Sequence, residues 1–220
     1  MKRIIMAVMI ATMVCLAPGI SRAATIIFND NFDGENGGVA DVLNYVGFSK
    51  WTVSNGTVDL IGIGGGFDLL PGNGLYVDMD GTSGNAGDML SNALTNIHGG
   101  VQYELTFEYA GSQRGDTNDL TYGIDLDNNG ILDHSGSLTL VASGTPFTPV
   151  SLLFTPTGMD PYLNARIYFS QNQVGGDNIG ILLNNVKVST EANLPEPASL
   201  MLLGAGLAGI GIWRRKVAKG

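Results

Sequence analysis

The chain has 220 residues, 44% of them hydrophobic and 14% charged, with 32 glycines and one cysteine. So low a charged fraction, against about 25% in ordinary globular proteins, excludes a coiled coil and a charged disordered tail, and the length fits one ordinary domain or two small ones. Residues 24–193 hold four basic side chains (Lys50, Arg114, Arg166, Lys187) against nineteen of the twenty acids, a balance that excludes nucleic acid and anionic lipid as partners and suits neutral sugars, divalent cations or solubility.

The N-terminus reads as an address. Lys2 and Arg3 precede an apolar run from Ile4 to Ala17, followed by Pro18-Gly19 and then Ser21-Arg22-Ala23. A short positive region, a hydrophobic stretch below the ~20 residues of a bilayer span and small residues before the cut predict a secretory signal peptide over 1–23, cleaved after Ala23. The lone Cys15 lies inside that run, so the exported body, 24–190, carries no thiol and neither disulfides nor thiol catalysis.

The body alternates short apolar or β-branched runs with Gly, Asn, Asp and Pro. Strands are expected near 25–28, 51–53 and 57–63. The glycine cluster Gly62 to Gly66 follows a strand and leads into Phe67-Asp68-Leu69-Leu70-Pro71 rather than opening a helix, so it reads as a loop and not a phosphate cradle. Leu75, Val77 and Met79 alternate with Tyr76, Asp78 and Asp80. From Val101 to Tyr109 every odd position is apolar and every even one polar, the period of a half-buried strand. Further strands are expected at 120–126, 137–142, 148–155, 163–170 and 179–188. No capped helix of period 3.6 interrupts them. About ten short strands separated by turns predict an all-β fold, an antiparallel two-sheet jelly-roll sandwich.

Between two of these strands stands Asp125-Leu126-Asp127-Asn128-Asn129-Gly130-Ile131-Leu132-Asp133. Hard oxygen donors at alternate positions before a turn-permitting glycine suit a Ca2+ loop, with Asp125, Asp127, Asn129 and Asp133 as ligands. The twelfth position, where an EF-hand needs a bidentate Glu, is Gly136, so the site would be truncated and structural. A plain hairpin closed by Asn129-Gly130 is the competing reading. A second acidic group, Asp30, Asp33 and Glu35, is read as solvated loop acids or, less strongly, as ligands.

Sugar recognition needs an exposed ring beside hydrogen-bonding groups. Of Tyr45, Trp51, Tyr76, Tyr122 and Tyr168, Tyr76 and Tyr168 lie on the polar phase of their strands and are expected at the surface, whereas Trp51 is assigned to the core. Arg114 is read either as a contact to an acidic sugar or as the partner of Asp116 or Asp119. Catalysis finds little support: there is no Gly-x-Ser-x-Gly or His-Glu-x-x-His, and His98 and His134 stand isolated in the sequence. Glu104 and Glu108 share a strand face but lie ~13 Å apart along it, beyond the ~5–9.5 Å of glycosidase carboxyl pairs. The body is therefore expected not to be an enzyme.

The C-terminal segment, 191–220, is a second address. Pro195-Glu196-Pro197 precedes sixteen uncharged residues, 198–213, then Arg214-Arg215-Lys216. As a helix those sixteen span ~24 Å, a little short of a bilayer core, with Trp213 at the interface and the basic cluster on the cytoplasmic side. Prolines 195 and 197 hold an extended, protease-accessible segment at the membrane face. In this three-part order, with a signal peptide at the other end, the segment resembles the PEP-CTERM sorting signal of Gram-negative bacteria. The resemblance implies recognition of Pro195, Glu196, Pro197, Trp213, Arg214 and Arg215 by a membrane exosortase, transient anchoring, cleavage near the Pro-Glu-Pro, and release toward a cell surface or exopolysaccharide matrix.

The body carries a fainter resemblance. Trp51-Thr52-Val53, Val58-Asp59-Leu60-Ile61, Gly74 to Gly81, Tyr103 to Phe107, Asp177-Asn178-Ile179-Gly180 and the late Asn185-Val186-Lys187-Val188 are similar to galactose-binding-like jelly rolls. That resemblance implies binding of polysaccharide or cell-surface glycan without turnover. Many such domains carry Asp where this chain has Asn184 and Asn185, which separates the last strand from any ligand role implied there. A structural matrix protein without a specific glycan is the rival expectation, and a polysaccharide-processing enzyme a more distant one.

Overall fold

Eleven strands and one turn of 3-10 helix make up the computed structural model over its described residues, 24–158, 160–172 and 177–190. The predicted signal peptide, the apolar helix 198–213 and the sorting residues Pro195, Glu196, Pro197, Trp213, Arg214 and Arg215 lie outside the described residues. Among those described, no helix is long and apolar enough to cross a membrane.

The strands are β1 (Ile26–Asp30), β2 (Trp51–Ser54), β3 (Asp59–Gly62), β4 (Leu75–Asp78), β5 (Asp88–Ser91), β6 (Tyr103–Ala110), β7 (Asn118–Asp125), β8 (His134–Val141), β9 (Thr148–Phe154), β10 (Arg166–Asn172) and β11 (Leu182–Thr190). They form two sheets with only antiparallel pairing between these strands. One has the order β3-β4-β11-β6-β9, with β1 also on β11; the other is β2-β5-β10-β7-β8. This is the expected two-sheet sandwich, and each of the ten expected strands has its counterpart.

Period-two patterning places the core. On β6, Tyr103, Leu105 and Phe107 are buried while Glu104, Thr106 and Glu108 are partly exposed. On β10, Ile167 and Phe169 point inward, and Arg166, Tyr168 and Ser170 lie on the opposite phase. Phe107 joins the layers, with its ring 5.0 Å from Phe169 and 4.8 Å from Tyr122, both edge to face. Trp51 is in the core as expected, at 4% exposure. Its ring meets Phe28 at 5.3 Å and Phe169 at 5.9 Å. The Phe28 pair is edge-on and the Phe169 pair tilted, and edge-on pairs add to burial because the ring quadrupoles are complementary.

β11 is the hinge of the first sheet. Its first residues, Leu182 and Leu183, pair with β4, and Val186 to Ser189 pair with β1. The register against β6 shifts between Asn184 and Lys187, a bulge with Asn185 at φ 51°. Asparagine tolerates that left-handed conformation better than most residues. Asn184 donates to the Asn73 carbonyl at 3.0 Å and Asn185 to Glu108 at 2.6 Å. Both amides brace the bulge at which β11 changes neighbours.

β4 departs from its expected half-burial. All four of its residues are buried, because the outer face of this sheet is covered. Tyr76 lies at 0% exposure in a small cluster with Ile61, Ala110 and Leu182, roofed by Leu69, Leu70 and Phe147. Its hydroxyl donates to Asp68 at 3.2 Å and accepts from the Leu70 N–H at 2.9 Å. Burial pushes this phenol up to about 12. The expected surface ring at position 76 is thus corrected: the chain between β3 and β4 folds back over the polar phase of β4, and Tyr76 serves as that segment's anchor.

Candidate functional site

The outer face of the second sheet is built by register. Tyr168 on β10 stands opposite Leu90 on β5 and Gly123 on β7; Ser170 stands opposite Asp88; Thr52 and Ser54 on β2 pair with Leu90 and Asp88. Opposed residues share a face, so a tyrosine ring and a leucine are set among hydroxyls and a carboxylate. On the β7 side the ring stands over Gly123, which is buried. A methyl there would press on the His134 carbonyl oxygen, so a side chain at this position strains the β7–β8 pairing.

Above this floor lies a cleft of about 420 Å³, walled by Ser54 and Asn55 on one side and by Asp125, Asn128, Gly130 and Leu132 on the other. Asn55 donates to Asp88 at 2.6 Å, which fixes the carboxylate at the cleft wall. Burial raises the Tyr168 phenol above its ordinary value and the nearby Asp88 charge adds to the rise. Tyr168 is half-buried, with its environment held on the sheet rather than in a mobile loop. Of the five aromatic candidates it alone lines this cleft. Tyr45 packs on Phe48, Tyr122 on Phe107, and Trp51 and Tyr76 are in the interior.

The second wall of the cleft is the acidic loop. The carboxylates of Asp125, Asp127 and Asp133 have oxygens all within 4.8 Å of one another, and among the described residues they are the one group of acids, histidines or cysteines so arranged. Asp125 is buried and the other two are exposed. Asp125 also closes the loop on itself, accepting the N–H groups of Asn129 at 3.2 Å and Gly130 at 2.8 Å. Asp133 accepts from Leu126 N at 2.7 Å, and the Asn129 side-chain oxygen accepts from Ile131 N at 2.8 Å. The turn and the acid cluster are therefore the same structure: the carboxylates order the hairpin that brings them together.

Arg114 does not take the partners expected for it. Its guanidinium pairs with Asp78 of β4, which is nearly fully buried, instead of Asp116 or Asp119. Asp116 is a near neighbour in sequence, but its backbone carbonyl, not its charge, is tied into this loop by Ser112, and Asp119 accepts from Leu140 N. Asp78 sits opposite Asp59 on β3, and the pair borders a hollow of about 30 Å³ with Thr82 and Asn178. Burial lifts the Asp78 carboxyl to about 7, with Arg114 opposing that rise and Asp59 and Asp80 reinforcing it. Arg114 is thus remote from the Tyr168 cleft in its bonding and is a structural cation.

In the second acidic group Asp30 and Glu35 are buried and Asp33 is exposed, and the three do not cluster. Asp30 accepts from Trp51 Nε1 at 2.8 Å, Asp33 from Leu75 N at 2.8 Å, and Glu35 from the Ser49 hydroxyl at 2.7 Å. Each pins one strand or loop to another. Glu104 accepts from Ser151 and Glu108 from Asn185. His98 is not isolated in space, since its Nδ1 meets Asp160 at 2.5 Å, while His134 packs against Phe154.

Residues 193–216 match the PEP-CTERM protein-sorting motif, which marks an exported protein held by a C-terminal membrane anchor before processing. No curated protein matches the chain. Among solved structures, a Stig cyclase from Fischerella sp. TAU, in complex with (3Z)-3-(1-methyl-2-pyrrolidinylidene)-3H-indole, aligns over 77% of this chain and 99% of its own at 13% identity and a TM-score of 0.57. The adhesin domain of Lys-gingipain from Porphyromonas gingivalis aligns over 77% and 100% at 13% identity and 0.50. A CBM22-2 xylan-binding domain from Paenibacillus barcinonensis aligns over 75% and 99%, at 11% identity and 0.48. What the first two likenesses establish is the jelly-roll sandwich fold alone.

Proposed function

We propose that this is an exported, non-catalytic glycan-binding protein, whose sandwich takes up a polysaccharide segment in the cleft over Tyr168. The observation that carries the reading is the cleft itself: a half-buried ring and Leu90 forming an apolar floor, with Ser54, Asn55, Asp88 and Asn128 on its walls. A sugar ring is apolar on its faces and hydroxylated at its rim, so it needs that combination of stacking surface and peripheral acceptors and donors. The expected Tyr76 and Arg114 contacts drop out of the site, and Asp88, Asn55, Leu90 and Asn128 enter it.

Sorting precedes binding in this reading. An exosortase recognises Pro195, Glu196 and Pro197 with Trp213, Arg214 and Arg215, cleaves near the Pro-Glu-Pro, and frees the body toward a bacterial surface or its exopolysaccharide. Ca2+ belongs to the proposal as a structural ion. Asp125, Asp127 and Asp133 supply the hard carboxylate oxygens that Ca2+ prefers, and Asn129 would share its side-chain oxygen with the Ile131 N–H it already accepts. Held there, the ion would stiffen the wall of the cleft. The residues themselves order the hairpin.

The test is retention on immobilised polysaccharide. Tyr168→Ala should weaken binding about tenfold, the equivalent of ~1.4 kcal/mol for a lost stacking ring, with an unchanged melting temperature within a few degrees. Tyr76→Phe, which removes only a buried hydroxyl, should bind as the parent does. Equal retention of Tyr168→Ala and the parent would refute the assignment of the cleft.

A further inference from the structure

The charge distribution in the Tyr168 cleft says which class of glycan it suits. Asp88 and Asp125 both line the cleft, and none of the described residues lining it is Lys, Arg or His. The five strands of this sheet contain a single Lys or Arg, Arg166. Arg166 stands opposite Asp125 on the neighbouring strand and donates to the Ser91 carbonyl at 2.8 Å. Asp125 accepts two backbone N–H groups of its own loop. Among the described residues Asp88 has no basic partner: its donors are the neutral amide of Asn55 and the Tyr168 phenol, whose ionisation it opposes.

Resting on the glycan-binding reading, we infer that the cleft prefers a glycan carrying free amino groups, a de-N-acetylated hexosamine polymer, over its N-acetylated form, and rejects uronate chains. The physical reason has two parts. An ammonium group on a sugar stacked over Tyr168 faces the Asp88 carboxylate, which has only neutral donors, and the electron-rich ring, and both attract a cation. A uronate in the same place sets a second carboxylate against Asp88 in a partly desolvated cleft with no described basic lining residue to receive it. Like charges brought together there suppress the wrong ligand more than they reward the right one. Asp88 is then a specificity-determining residue, and Tyr168 the platform common to all ligands.

The experiment compares three hexamers of matched length with the full-length chain by titration calorimetry: glucosamine, N-acetylglucosamine and a uronic acid, at a pH where the amines are protonated. The expected order is glucosamine at least fivefold tighter than N-acetylglucosamine, with the uronate weakest. Asp88→Asn keeps the shape and can still accept from Asn55, so it should bring the first two within twofold of each other while leaving the N-acetylated hexamer's affinity in place. Glu104→Gln removes the same one negative charge from the outer side of the other sheet and should leave the preference intact, which separates the cleft from the general attraction of a polycation to an acidic protein. Equal affinities in the parent chain, a preference for the acetylated or uronate hexamer, or an amine preference surviving in Asp88→Asn would each overturn the inference while leaving the glycan-binding reading in force. Binding of none of the three, nor of any immobilised polysaccharide, would overturn both.

Discussion

The Arg114–Asp78 pair should make stability depend on pH in an unusual direction. Asp78 is 2% exposed, and its carboxyl is lifted from 3.8 to about 7, first by burial and then by Asp59 and Asp80. A group whose folded pKa lies above its unfolded value holds its proton better in the native state, so the native state binds more protons than the unfolded chain between pH ~4 and ~7. Stability from this site is fully present below that window and falls as pH rises through it, the reverse of an ordinary salt-bridged carboxylate. A shift of about three units corresponds to a loss of about 4 kcal/mol across the window, at 1.36 kcal/mol per unit. Asp78→Asn carries no proton to lose. The difference between the parent and Asp78→Asn should therefore tilt by about 4 kcal/mol from pH 4 to pH 8, in favour of the variant at the alkaline end.

Arg114→Ala attacks the same site from the other side. At pH 8 the parent's Asp78 is mostly ionised and paired, and losing the cation that opposes its burial drives the carboxyl to take up a proton instead, so the substitution costs up to about 1.4 kcal/mol more than in acid, the linkage value of one pH unit above a pKa of about 7. At pH 5 Asp78 is neutral, and the same substitution removes one hydrogen bond, at about 1 kcal/mol. Urea unfolding followed by tryptophan fluorescence at pH 5, 6, 7 and 8 reads both quantities, with the m-value checking that the transition stays two-state. An Arg114→Ala cost that is equal at pH 5 and pH 8, or an Asp78→Asn curve parallel to the parent's, would refute the reasoning.

Further predictions rest on other parts of the fold. Trp51→Phe keeps most of the core packing but strips the Nε1 donor from buried Asp30, so it should cost about 1–3 kcal/mol in urea unfolding; an unchanged midpoint would show that this bond contributes nothing. Gly123→Ala should destabilise by about 1–3 kcal/mol, since its methyl would press on the His134 carbonyl, with melting temperature as the readout. If Ca2+ occupies the acidic loop, millimolar Ca2+ should raise the melting temperature and excess chelator lower it, because a ligand bound only to the native state stabilises it. Asp125→Asn should abolish the response, and a parent melt indifferent to both additions would remove the ion from the proposal. Intact-mass measurement of material from culture medium should show a chain ending near Pro195–Pro197, and full-length chains alone would refute processing there.

The strand inventory was legible because burial on one face writes a period of two into the sequence, as in Tyr103 to Phe107 and Arg166 to Ser170. The strand that escaped was β5, four residues long, Asp88-Met89-Leu90-Ser91. Its alternation is too brief to stand out, with only Met89 and Leu90 apolar. Yet β5 carries Asp88 and Leu90, so the missing strand hid two of the residues that line the cleft. The hairpin at 125–133 was legible because both its readings, turn and acid cluster, draw on the same residues. The glycine loop at 62–66 was also read as a loop, but its consequence was not, because a loop's sequence does not say what it covers.

Tyr76 and Tyr168 show where sequence pattern stops. Each is an aromatic on the polar phase of an alternating strand, and by that criterion the two are equivalent. What separates them is cover supplied from elsewhere in the chain. The outer face of the first sheet is closed at β4 by Leu69 and Leu70, by Phe147 packed on Tyr76 at 5.4 Å, and by Arg114 brought in to Asp78. The outer face of the second sheet is roofed only at its margins, by the turn at Asn55 and the loop at 128–132, so Tyr168 keeps an open side. An identical local signal therefore yields an anchor in one sheet and a platform in the other. The cover also explains the position of the ionisable groups. On the closed face a carboxylate must be neutral or paired, as Asp78 is, whereas on the open face Asp88 lines the cleft, where a ligand can reach it. Full burial of Asp78 and partial burial of Asp88 are in this sense two outcomes of one asymmetry, the unequal roofing of the two sheets.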